Sequence, residues 1–137
     1  MKKGTDMKEK YERQMKKGVL DMLVLKLLET EPKHGYRIIQ EMKEKSEEVF
    51  SLKDGTLYPV LYRLEDDGLV ISRWSEIEEE QMSQKSPRKN LREISQKNSR
   101  KVPRKYYEIT EAGRRALAEM RTVWERISDG TKRIMEE

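Results

Sequence analysis

The chain has 137 residues, with 30 lysines and arginines against 26 aspartates and glutamates, a formal net charge of +4 and no cysteine. Only 34% is hydrophobic and 41% is charged, against about a quarter charged in an ordinary globular chain, so one copy can bury only a modest core. The cysteine count excludes a disulfide framework, a thiolate metal site and a cysteine nucleophile, and the basic balance permits a polyanionic partner.

Residues 1–17 are polar, with Met7, Tyr11 and Met15 at fourfold spacing. They predict a narrow apolar stripe on a helix that runs on into the next segment. Residues 19–29 are apolar round most of a helix, which suggests two burial partners: the domain's own core and a second subunit. This stretch contains Asp21 and Lys26 and is too short to cross a bilayer. The basic N-terminus lacks a signal peptide's apolar run, so a cytoplasmic protein without a membrane partner is expected. Residues 32–35 break the pattern, with His34 read as a turn residue, and a second helix follows over 36–45.

Residues 52–69 read L-K-D-G-T-L-Y-P-V-L-Y-R-L-E-D-D-G-L. Leu57, Val60, Leu61 and Leu64 recur at helical spacing and predict an inward face. Asp54 is the expected N-cap and Gly68 the expected left-handed C-cap. The outward set is Thr56, Tyr58, Pro59, Tyr62 and Arg63, with Lys53 just before the helix. Such residues meet phosphates and base edges, although a solvated surface helix would also carry them. Three closely connected helices, the third polar-faced, form a helix-turn-helix arrangement.

Residues 69–74 favour a strand through β-branched and aromatic content, with 105–109 as the antiparallel partner, and together they predict a wing. Between them, 75–103 is rich in charge and poor in large apolar groups. It is expected to be a disordered or loosely helical loop, with a short helix starting at Ser86 and Pro87 and containing Leu91 and Ile94. Its basic half reads either as an arm that follows a DNA backbone or as a merely solvated loop. Thr110 then caps a final helix of about 25 residues, long for a domain of this size. Its apolar stripe runs from Ala112 to Met135, and Gly130 is a site for bending or fraying. The expected fold class is mainly α with a small β-hairpin: a winged helix-turn-helix plus a long C-terminal helix.

Four segments, in order, resemble the PadR-like winged helix-turn-helix transcriptional regulators: K-G-V-L-D-M-L-V-L-K-L-L (17–28), H-G-Y-R-I (34–38), G-T-L-Y-P-V-L-Y-R-L-E-D-D-G-L (55–69) and R-K-Y-Y-E-I-T-E-A-G (104–113). One helix after the wing is similar to the short subgroup. The resemblance implies a DNA-binding domain over 1–110 and a dimerisation helix over 111–137. It also implies a homodimeric repressor on double-stranded DNA at a pseudo-palindromic operator. The long insertion within the wing departs from the family pattern.

Carried over by motif, the reader helix spans 55–67, with Thr56, Tyr58, Tyr62 and Arg63 in or beside the major groove. Tyr36 and Lys53 would meet phosphate, and Arg104 and Lys105 the backbone or minor groove at the wing. Tyr36 equally suits core packing at a helix start, and Arg104 and Lys105 a soluble hairpin. Trp124 lies where short members carry a tryptophan at the dimer centre. It either packs there or holds a small flat aromatic effector, with Met15, Val19, Met120 and Ile127 as neighbours. The alternative function is a winged-helix protein-interaction module without specific DNA reading. One histidine, no glycine-rich phosphate loop and no paired carboxylates in an apolar cleft argue against an enzyme, and neither cofactor nor metal is expected.

Overall fold

The computed structural model describes residues 2–78 and 101–136. Their elements run α1 (Lys2–Lys17), α2 (Leu20–Leu27), β1 (Lys33–His34), α3 (Gly35–Lys45), α4 (Asp54–Asp66), β2 (Val70–Glu78), β3 (Lys101–Ile109) and α5 (Glu111–Met135). Helices α2, α3 and α4 pack around one core with the start of α5 and the inner end of the hairpin. That core holds Leu20, Val24, Leu25, Leu28, Ile38, Met42, Leu57, Val60, Leu61, Leu64, Val70, Tyr107, Ile109 and Leu117. The four apolar positions of α4 read from the sequence are all buried, as their spacing requires.

Two local expectations are corrected. The first helix does not continue into the second, because the chain turns at Gly18 and Val19, and Val19 caps α2. The turn lets α2 enter the core while α1 leaves it. Asp54 is not the N-cap of α4 but lies in its first turn; Lys53, in extended conformation, caps through its carbonyl, which accepts from the Thr56 and Leu57 amides. A carboxylate in the first turn still complements the positive end of the helix dipole. At the other end Gly68 has φ of +77°, the left-handed conformation expected of it.

The wing is longer than expected. Strands β2 and β3 pair antiparallel from Val70↔Ile109 to Glu78↔Lys101, so 75–78 and 101–103 belong to strands and not to a loop. A ladder propagates wherever each new rung satisfies backbone groups, even through polar sequence. The remainder of the insertion, with the short helix expected around Leu91 and Ile94, lies outside the described residues. A third strand, absent from the sequence reading, sits where a break was expected: β1 pairs with β3 through Lys33↔Tyr107 and His34↔Tyr106, giving the order β1-β3-β2.

Lys33 is buried, 3% exposed, and a buried ammonium is tolerated only when paired. It donates to the Leu27 carbonyl and, at 2.7 Å, to Glu41 Oε1. Arg37 donates to Glu41 Oε2 at 2.8 Å and to Glu31 Oε2 at 2.8 Å. Burial pushes the Glu41 carboxyl up, but hydrogen bonds from Lys33 and Arg37 outweigh it and hold it below its ordinary value. The pair therefore contributes stability above pH 4.5, and that contribution is lost as pH falls through the lower folded value. The network fixes the entry of α3, which carries Tyr36.

Thr110 caps α5 as expected, its hydroxyl accepting from the Gly113 amide at 3.0 Å. The helix runs unbroken through Gly130, and its outer half leaves the core: Trp124 is 45% exposed and Ile127 61%. Met15 on α1 is 78% exposed. Two amphipathic helices thus show apolar stripes that the described residues of this chain leave uncovered.

Candidate nucleic-acid interface

Helix α4 buries its leucines against α2 and α3, which turns Thr56, Pro59 and Tyr62 outward. Lys53 is exposed at the helix entrance, beside first-turn amides that suit an anion. Tyr58, read as outward, is only half-buried to the outside, because its hydroxyl lies directly over the bare α-carbon of Gly35. Any side chain at position 35 would overlap that hydroxyl, so this glycine and tyrosine set the approach of α3 to α4. Burial, then the nearby Asp54 charge, push the Tyr58 phenol up. It therefore stays protonated and able to donate a hydrogen bond near neutral pH.

Beside Tyr58, at 6.1 Å between ring centroids, stands the exposed ring of Tyr62. The Lys105 ammonium hangs 5.9 Å from the centroid of Tyr62, 5.9 Å from that of Trp74 and 5.8 Å from that of Tyr107. One cation from the wing therefore meets the exposed face of α4. Tyr107 lies beneath, fully buried, its hydroxyl without a hydrogen-bond partner among the described residues. Burial, followed by the neighbouring tyrosines and Glu65, pushes that phenol up to about 12.

On the α3 side, the exposed Tyr36 ring stacks on His34 at 6.3 Å, and His34 meets Tyr106 edge-on at 5.4 Å. His34 also caps α3, accepting from the Arg37 amide at a long 3.4 Å. Its imidazole is held below its ordinary pKa of 6.5, first by burial and then by the Arg104 and Arg37 charges, so it is uncharged at neutral pH. Arg104 is half-buried, and its Nε has no partner among the described residues. Tyr36, Tyr58, Tyr62, Arg104 and Lys105 thus gather around the α3–α4 face and the stem of the wing. Trp74, which the sequence reading left out of the site, belongs to the same cluster. Its direct cross-strand position to Lys105 was the available signal.

Arg63 lies apart from this cluster. Its guanidinium pairs with Asp21 of α2 at 2.5 Å, on the wall of a separate groove of about 1120 Å³ between α1, α2 and α5. Met15, Val19, Met120, Trp124 and Ile127, which spacing alone had joined, all line that groove. Among the described residues no helix is long and apolar enough to cross a membrane, and no group of three or more histidines or carboxylates could hold a metal.

A helix-turn-helix with an antiparallel wing, cationic where the wing and α4 meet, defines the winged helix-turn-helix class of DNA-binding proteins. The model of the transcriptional regulator PadR-like family matches residues 24–92, half of the chain, and the chain belongs to that family. It is similar to a PadR family transcriptional regulator from Eggerthella lenta, with 28% identity and a TM-score of 0.72 over 99% of this chain and 98% of the other. A PadR family transcription regulator from Clostridium difficile shares 29% identity at a TM-score of 0.61, over 85% of this chain and 98% of its own. An uncharacterised protein of Lysinibacillus sphaericus is 27% identical over 120 residues, 88% of this chain and 91% of its own. The chain is accordingly a DNA-binding transcriptional regulator and not an enzyme.

Proposed function

We propose that the protein is a homodimeric repressor in the cytoplasm that reads a pseudo-palindromic operator with one α4 from each subunit. The observation that carries this reading is the division of the surface into two faces. One bears exposed aromatic and cationic groups on α4 and the wing; the other is the apolar groove between α1, α2 and α5. The first suits a duplex, with Thr56, Tyr58 and Tyr62 toward base edges and Tyr36, Lys53, Arg104 and Lys105 toward phosphates. The second suits another copy of the chain, which would cover the stripes of α1 and α5 and bring two reader helices into register with two half-sites.

Fluorescence anisotropy with the duplex upstream of the protein's own gene, against a scrambled duplex and across a salt series, tests the first face. A preference of about a thousandfold with a steep salt slope is expected. Tyr62→Ala should weaken specific binding about tenfold and leave the oligomeric state unchanged. Equal, weak binding to both duplexes would instead favour a protein-interaction module. Arg63→Ala is informative beside it: Arg63 must leave Asp21 to reach DNA, so an unchanged affinity would assign it to the groove.

A small flat aromatic effector between the two Trp124 side chains would complete the reading, shifting the dimer toward a spacing that no longer fits the operator. The indole is half exposed within the groove, as such a site requires. A planar aromatic cation should quench tryptophan emission in the wild type and not in Trp124→Ala, in which Trp74 is the remaining tryptophan. Quenching that persists in the variant would leave Trp124 as packing alone.

A further inference from the structure

We infer that Trp74 is a DNA-contacting residue of the wing: its indole packs on the sugar edge of the groove flanking the one that α4 enters, while Lys105 exchanges its hold on the rings for a phosphate. This rests on the reading of α4 as the reader helix. Trp74 is 68% exposed at the point where the core has already ended, so folding leaves the largest side chain of the hairpin facing water. The strand that bears it is tied to the reader helix. Ser72, two residues earlier on the same side of β2, donates to Glu65 of α4 at 2.6 Å.

Directly opposite Trp74 in the register is Lys105, whose ammonium lies 5.9 Å from the Trp74 ring and 5.9 Å from that of Tyr62. Trp74 and the reader helix therefore share one cation. A polyanion that approaches Tyr62 must meet that cation, and the exposed Trp74 ring that shares it comes within reach of the same backbone. Charge selects the occupant: a phosphate can take the ammonium by a charge-assisted hydrogen bond, stronger than an exposed cation–π contact, while the flat indole suits a deoxyribose face. A rigid ring with two side-chain torsions loses little freedom when it is covered.

The experiment follows Trp74 emission and DNA binding together, with the labelled duplex from upstream of the protein's own gene. The difference between wild type and Trp74→Phe isolates the Trp74 signal. As anisotropy rises, that signal should change and become inaccessible to acrylamide. Trp74→Ala should weaken binding about tenfold at an unchanged melting temperature, and Trp74→Phe should recover most of the loss. Lys105→Ala should reduce the slope of log affinity against log salt by about one.

Normal binding with a silent Trp74 and an unaffected Trp74→Ala would overturn the inference and leave the reader helix in place, as would a loss of affinity explained by a lower melting temperature. Failure of the wild-type protein to bind any duplex, with Tyr62→Ala equally inert, would remove the reading of α4 and this inference with it.

Discussion

Ile127→Lys should convert the proposed homodimer to a monomer, seen by light scattering after size exclusion, and lower affinity for the proposed operator by about a hundredfold or more. Ile127 sits in the groove wall of α5 and is 61% exposed in the single chain, so lysine there should leave the monomer fold intact. In a closed dimer the same lysine would be an unpaired charge in an apolar interface, an arrangement that proteins avoid. The added positive charge by itself favours DNA. A loss of affinity would therefore have to come from uncoupling two half-sites. A variant that remained dimeric would place the subunit interface elsewhere.

Gly113→Ala should destabilise the fold by about 3 kcal/mol, read as a lower urea midpoint at constant slope. Gly113 lies in the first turn of α5, and a methyl group on it would overlap the backbone carbonyl oxygen of Leu69. That oxygen is already engaged: it accepts from the Thr110 amide at 3.0 Å and from the Thr110 hydroxyl at 3.1 Å. The clash cannot be relieved by a side-chain rotation, since it is with backbone. Gly130→Ala in the same helix should have the opposite sign. Its nearest neighbour there is the flexible end of Arg133 at 3.7 Å, and alanine favours a helix by about 1 kcal/mol over glycine. If both variants behave alike, the close approach at Leu69 is not the cause.

Periodic burial made much of the fold legible. The inward leucines of α4, the caps at Gly68 and Thr110 and the pairing of 70–74 with 105–109 all follow from rules that act over a few residues. The corrections concern longer range. Nothing near Tyr58 in sequence indicates that its hydroxyl lies on Gly35, 23 positions earlier. Asp21 gives no local hint that it holds Arg63 across 42 positions. Strand β1 is two residues long and exists because β3 has an edge to offer and Lys33 has Glu41 to bury against. The exit from α3 was equally hidden: Glu47 and Glu48 adopt φ of 53° and 70° without a glycine to announce the turn. Within the site, residue types on α4 and the wing were readable one at a time. Their clustering around Lys105 depends on register and packing together.

The unequal strand lengths of the sheet have a mechanical consequence. Strand β1 ends its pairing at Tyr106, so the sheet narrows from three strands to two between Tyr106 and Lys105. A two-stranded ribbon twists and bends more readily than a sheet supported on both sides. The pivot of the wing therefore falls at that step, and Lys105 and Trp74 occupy the first rung beyond it. Bending at that step displaces this first rung least and the outer rungs most. In the proposed complex, contacts on this first rung would therefore cost less ordering than contacts made further out.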